Sequence, residues 1–417
     1  MQKVVFDEKY TFIPPYRGTF WSWAVGKYLP TLVRKRCGVN SWTTIGLDHL
    51  RDSLRQKNGI ILCPNHSRAS DPLMCGAIVT DTPVHSYAMA SWHVFKQSWL
   101  ETFVSRRIGA FSVYREGMDR KALDTAVDIV ATAERPLMIF SEGVISGAND
   151  RLMQLMDGTA FIARTAAKHR AKTHPDSSVV VHPVILKYQH QGDPEVLLAP
   201  VMERLEDRIF RISQAGRPML QRIKTLQAAL QCAREIQWLG ESLTGRIEDR
   251  VQQLVNLILQ KHEQEWLGRK RTGDTIGRVK DLRIAILTDM VANKLDAKER
   301  HRRWQHLADV YYAQSFSLQV PGYLDEDLPP DRLKHHMFEA VERIEEDLTD
   351  NMTVYHDLHV DIMVDEAIPV PPERVKSREG DPIMKELRSR MLKMLGVEDR
   401  WPTQPITNCP APPQPAD

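Results

Sequence analysis

Apolar and polar positions recur along this chain with two different periods, and the change of period divides it. Gly59-Ile60-Ile61-Leu62-Cys63 is a short uninterrupted apolar run, the pattern of a buried strand. Ser86 to Ala90, Phe111 to Tyr114 and Leu137 to Phe140 repeat the signal, and Val179 to Leu186 is a β-branched run broken by Pro183. Helical patterns lie between them. Asp71-Pro72 reads as an N-cap acid with proline at the first helical position. Leu123, Ala126, Val127 and Val130 form a stripe behind a candidate cap, Asp119, and a further helix is expected around Thr159 to His169. Strands alternating with helices predict an α/β sandwich over about 58–200.

From about 205 to 350 the period lengthens to 3.6. Ile247, Val251, Leu254, Val255, Ile258, Leu259 and His262 form one stripe. Ile276, Val279, Ile286, Leu287 and Met290 form a second, with Arg283 out of character, and Leu333 to Leu348 a third. Three to five stacked helices are expected. Alternation returns at Leu358, Val360, Ile362 and Val364, and a last helix is expected over Pro382 to Leu395. The proline-rich end from Pro402 predicts disorder. The expected division is therefore 1–45, an aromatic and basic segment; 46–205, the main α/β part; 206–350, a helical module; 351–398, a closing strand and helix; and 399–417, the tail.

Composition changes this picture little. At 42% hydrophobic and 26% charged, the 417 residues are those of an ordinary globular chain, and a net charge of +2 asks for no nucleic acid. Five cysteines, odd in number and without metal-ligand spacing, fit a reducing compartment. No stretch has the ~18 uncharged apolar residues of a spanning helix. The first forty-odd residues stand apart: Tyr10, Phe12, Tyr16, Phe20, Trp21, Trp23, Tyr28 and Trp42 are interleaved with Lys9, Arg17, Lys27 and Arg34-Lys35-Arg36. Such a mixture suits an anionic membrane surface as well as it suits packing on a domain. The expected location is cytoplasmic, at the inner face of the cell membrane.

The candidate chemistry begins at Asn65-His66-Ser67-Arg68-Ala69-Ser70-Asp71, just after a buried strand. An acid five residues beyond a loop histidine, at a helix start, can bond one ring nitrogen, fix the tautomer and raise the basicity of the other. That pair suits taking a proton from a hydroxyl as its oxygen attacks a thioester carbonyl. Taken alone, Asp71 also reads as a simple helix cap. Three more blocks follow in order. Gly109 to Arg115 ends a strand with a guanidinium able to clamp a phosphate. Phe140-Ser141-Glu142-Gly143 ends another with an acid and a glycine, and Val181-His182-Pro183-Val184 puts proline inside a strand. Loops beyond the carboxyl ends of strands in an open α/β sheet can share one crevice.

Together these blocks resemble the glycerolipid acyltransferases, typified by the 1-acylglycerol-3-phosphate (lysophosphatidic acid) acyltransferases. Asn65, His66 and Asp71 match the first motif, and Gly109 with Arg115 the second. Phe140, Glu142, Gly143 and Ser146 match the third and Pro183 the fourth. The resemblance covers about 40–200 and resumes at Val364 to Val370 with the closing helix, which makes the helical module an insertion. It implies His66 as general base and Asp71 as its orienting acid. It further implies substrate-binding roles for Asn65, Gly109, Arg115, Glu142, Gly143 and Pro183, with acyl-CoA or acyl-acyl carrier protein as co-substrate. No metal or redox cofactor is expected; His335-His336 and His356 with His359 read as surface histidines. One departure stands out: Val144 and Ile145 replace the family's threonine and arginine. Since the family holds the acceptor's phosphate with that arginine and the one at Arg115, a non-phosphorylated acceptor is the alternative, and a non-catalytic membrane scaffold the rival of another class. Arg151 is the candidate substitute cation.

Overall fold

The computed structural model describes residues 5–82, 84–318, 322–373 and 380–397, and the expected disordered tail lies outside them. Eight strands form one sheet: β1 (Val39–Ile45), β2 (Gly59–Pro64), β3 (Tyr87–Ser91), β4 (Ala110–Val113), β5 (Leu137–Met138), β6 (Val179–His190), β7 (Leu358–Val364) and β8 (Ile368–Pro369). Their order is β1-β7-β6-β2-β5-β3-β4, with β8 also paired to β6. β6, β2, β5, β3 and β4 run parallel, and β7 and β8 run antiparallel to β6. The predicted mixed α/β class is the observed one.

Side-chain alternation explains the layers, because successive residues of a strand point to opposite faces. On β2, Ile61 and Cys63 enter one core with the helices Arg120–Thr132, Gly158–Thr173 and Pro382–Leu395. Ile60 and Leu62 enter the other, against the helices Phe20–Cys37 and Leu47–Arg55. β6 divides in the same way, Val179, Val181 and Ile185 to one side and Val180, Val184, Leu186 and Tyr188 to the other. The helix Phe20–Cys37 is held by Leu29 and Val33, both buried, so the aromatic segment is part of the packed unit. Asp119 caps the helix Arg120–Thr132 as expected, accepting from Ala122 N at 3.0 Å.

Three sequence expectations are corrected by longer-range contacts. β6 runs four residues past Leu186, because Tyr188 and His190 stay buried while Lys187 and Gln189 face outward. The strand at Leu137 to Phe140 shortens to two residues. Pro183 lies on neither an edge nor a bulge. Its missing N–H falls where the neighbour of β6 changes from β8 to β7, at the loop from which Asp365 N donates to Pro183 O (3.0 Å). At the opposite edge, β4 is covered by the N-terminal stretch: Ser112 N donates to Ile13 O (3.0 Å), and Ile13 N donates back to Ser112 Oγ (2.8 Å).

The chain divides into two compact units, one built mainly from Tyr10–Leu220 with Leu324–Glu398, the other from Gln221–Tyr323. The second unit contains the helices Ile247–Leu267, Thr275–Val291 and Ala297–Ser317 and most of Met219–Leu239. Leu254, Val255, Ile258, Leu282, Ile286 and Val310 are buried in it. Arg283, the exception in its stripe, is buried with a guanidinium nitrogen on Gln314 Oε1 at 2.8 Å. The helix Pro330–Thr349, expected within the helical module, belongs to the sheet-bearing unit.

Candidate active site

Three loops meet at the carboxyl ends of β2, β4 and β5. His66 follows β2 directly. Its Nδ1 is 2.9 Å from Asp71 Oδ2, and its ring lies against Phe140 with centroids 4.3 Å apart. Asp71 is fully buried and opens the helix Asp71–Met74, with Pro72 beside it. It is not the cap that the sequence suggested. Ser70 holds that position, and the carboxylate turns inward to accept from His66, from Arg68 N (2.8 Å) and from Tyr188 OH (2.7 Å). With Nδ1 engaged, the lone pair of interest is on Nε2, to which no described residue hydrogen-bonds, on a side chain 16% exposed.

Glu142 sets the height of the histidine. Its Oε1 accepts from His66 N at 2.6 Å and its Oε2 from Met153 N at 2.7 Å. Burial raises this carboxyl to about 7, although the two backbone donors and His66 favour its charged form. Glu142 was expected at the substrate; its oxygens are instead spent on main chain. Gly143 takes a positive φ of 67°, and its carbonyl accepts from Arg115. That contact joins the second and third blocks. Burial disfavours the Arg115 cation, yet a guanidinium keeps its charge. Ser146 N donates to His66 O (2.7 Å) and Gly147 N to Ser67 O (3.1 Å), fastening the third block along the first.

The remaining expected positions are placed further back. Asn65 is buried and pairs both amide atoms with Leu186 main chain, accepting at 2.7 Å and donating at 3.2 Å, so it extends β2 toward β6. Gly109 lies at the amino end of β4, away from His66; with φ of 104°, a Cβ there would sit 2.8 Å from Ser86 O. Pro183 is opposite Cys63 within the sheet. Arg151 is only 4% exposed, and Ile145 is half-buried. A cavity of about 330 Å³ lined by His49, Ser53, Asn58, Ser178 and Pro369 opens at the amino ends of β2 and β6, the end opposite His66.

Residues 47–187 match the family model described as Acyltransferase. This stretch is similar to an acyltransferase domain. None of the curated proteins searched matches the chain. The domain match spans both ends of the His66–Asp71 pair and all three loops, and supports a general acyl-transfer role. It stops one residue short of Tyr188, whose hydroxyl reaches Asp71.

Tyr188 was missed because Lys187 and Gln189 hide the end of the strand; extending the alternation Val184, Leu186, Tyr188 finds it. No sequence signal marks Glu342, which reaches Arg68 from the helix Pro330–Thr349 across 274 positions. Of the histidines read as surface groups, His336 is buried and lies 3.0 Å from Asp150 Oδ2, and His335 Nδ1 accepts from His190 N (3.1 Å). Among the described residues, His262, Glu265 and His306 bring ligand-type atoms within 4.8 Å of one another in the helical unit. Asp309 already engages His262 Nε2 at 3.0 Å, the Trp266 indole N–H donates to His306 Nδ1 at 3.0 Å, and Arg302 pairs with Glu265.

Proposed function

We propose that this chain moves a fatty acyl group from a thioester, carried on CoA or acyl carrier protein, to the hydroxyl of a lysophospholipid, with 1-acylglycerol-3-phosphate as the first acceptor, in phospholipid biosynthesis. The observation that carries the reading is the His66–Asp71 pair, 2.9 Å apart, with Nε2 left for substrate inside a matched acyltransferase domain. His66 Nε2 takes the acceptor's hydroxyl proton as that oxygen attacks the thioester carbonyl. The tetrahedral intermediate collapses to the ester, and the departing thiolate recovers the proton from the imidazolium. Asp71 stabilises that imidazolium and fixes its tautomer. Arg115, held at the Gly143 carbonyl, is the cation for the acceptor's phosphate.

A non-phosphorylated acceptor is the second reading, favoured by Ile145. Losing one charge-assisted contact costs ~1.5–3 kcal/mol, or roughly 10- to 150-fold in acceptor binding. Burial of Arg151 works against its replacing the missing arginine.

An anionic membrane surface is the partner that best fits the outside of this unit. In the helix Trp99–Arg107 no residue is buried, yet Trp99, Leu100, Phe103 and Val104 share one face. Trp21 meets Phe103 at 5.4 Å, which joins that face to the exposed Phe20 and Trp23, and Arg107 lies over Phe103 at 5.0 Å. Aromatic rings beside cations suit the headgroup boundary. On this reading the protein works at the cytoplasmic face of the membrane.

Acyl transfer from palmitoyl-CoA to lysophosphatidate, run beside His66→Ala, tests the reaction. Turnover is expected in the unsubstituted protein and a loss of at least ~100-fold in the variant. Equal rates in both would sink the assignment, and a better rate with non-phosphorylated acceptors would select the second reading.

A further inference from the structure

The acid of the catalytic pair is itself held from outside the matched domain. Asp71 presents two oxygens. Oδ2 takes His66 Nδ1 and Arg68 N, and Oδ1 takes the Tyr188 hydroxyl at 2.7 Å. Ser70 Oγ lies 2.9 Å from the same hydroxyl; with that proton given to Asp71, Ser70 is the donor of this second bond. Tyr188 is in turn covered by a cation, the Arg68 guanidinium standing 5.1 Å from its ring centroid.

Arg68 is fixed by a fork from the helix Pro330–Thr349: one nitrogen lies 3.1 Å from Glu342 Oε1, the other 2.7 Å from Oε2. That second nitrogen also donates to His190 Nε2 at 3.0 Å, and the His190 ring stacks on Phe338 of the same helix at 4.3 Å. Both charged side chains are nearly buried, 12% and 8% exposed. Burial opposes the Arg68 cation, and the facing carboxylate outweighs it.

Resting on the acyl-transfer reading, we infer that Tyr188 and Glu342 are positioning residues for the His66–Asp71 pair: Tyr188 locks the free oxygen of Asp71, and Glu342 holds Arg68 over Tyr188. Neither reaches the reacting atoms. Without the tyrosine hydroxyl, Asp71 keeps its bonds at Oδ2 but loses the one that locks Oδ1, and it gains electron density, so His66 becomes a stronger but less firmly aimed base. Without the Glu342 charge, Arg68 stays cationic beside the pair and disfavours the imidazolium.

The two changes therefore push the histidine in opposite directions, which general loosening of the fold does not do. Of the other titratable and charged groups around the pair, Glu142 from the turn after β5 accepts from His66 N, Arg115 from the loop after β4 is engaged at the Gly143 carbonyl, and Cys37 from the helix Phe20–Cys37, whose thiol burial keeps neutral, interacts with Asp71 and Arg68. All are unchanged in both variants.

The experiment is an NMR titration of the His66 ring in the full chain, assigned by its disappearance in His66→Gln, for the unsubstituted protein, Tyr188→Phe and Glu342→Gln. The midpoint is expected to move up in Tyr188→Phe and down in Glu342→Gln. In the transfer assay kcat is expected to fall about 10-fold in Tyr188→Phe with KM unchanged, the scale typical of lost orienting bonds. Tyr188→Phe keeps the ring under Arg68, so it decides the matter if Glu342→Gln does not fold. A His66 titration in Tyr188→Phe that superimposes on the unsubstituted one overturns the inference. Because the titration needs no substrate, absent turnover would overturn the proposed reaction while leaving the brace to be decided separately.

Discussion

Glu142 is a buried carboxylate whose two oxygens accept from two backbone amides, and its protonation is expected to set a pH slope. Burial raises it from the ordinary 4.5 to about 7. Between those values the folded chain keeps a proton that the unfolded chain has released, so stability falls as pH rises through that window and is flat outside it. The difference amounts to at most ~3 kcal/mol. Glu142→Gln removes the titrating group, and the thermal midpoint measured from pH 4 to 8 should lose its slope. The substitution also costs one of the two amide bonds, since an amide nitrogen cannot accept, so the midpoint should drop at low pH. A slope that persists would show that other groups carry it. At this scale the sequence disclosed His66 and Asp71, because a five-residue separation bounds their distance. It did not disclose what Asp71's second oxygen or Glu142's carboxylate does, since those partners lie 117 and 76 positions away.

Among elements, the passage from β4 into the helix Arg120–Thr132 carries Arg115 toward Gly143, and Asp119 closes it. One carboxylate oxygen caps the helix at Ala122 N; the other accepts from Tyr114 N at 3.0 Å, the residue before Arg115. Asp119→Ala should lower unfolding stability by about 2 kcal/mol, a lost cap together with an orphaned amide. It should also raise KM for a phosphorylated acceptor more than for a neutral one. Equal changes in both KM values would separate Arg115 from phosphate recognition. Cap residues and periodic stripes are local, so Asp119 and the helix Pro382–Leu395 were legible in advance. The outward apolar face of Trp99–Arg107 was not, because its rings contact others more than 70 positions earlier, as Trp21 does Phe103.

For the whole molecule, the membrane proposal calls for point substitutions. Deleting residues up to 40 would also remove Leu29 and Val33 from the core. Flotation with anionic vesicles should weaken in Trp23→Ala combined with Trp99→Ala and in high salt, with the thermal midpoint retained. Flotation unaffected by both would point to another surface. The alternation of strand and helix text gave the α/β class, whereas the boundary near 324 was hidden. The helix Pro330–Thr349 has the same 3.6 period as its neighbours, and its contacts with Arg68, with β6 and with the helix Ala199–Glu206 assign it.

The covering of β4 by Ile13 has a consequence for the protein in company. An uncovered edge strand is a template on which another chain can extend the sheet. Here the stretch ending in Pro14-Pro15 fills that edge and cannot itself offer a continuous row of amide donors to a neighbour. Chains clipped just after Pro15 would keep the His66 loops and still face one another through an open strand, so proteolytic trimming would show first as self-association in concentrated solution.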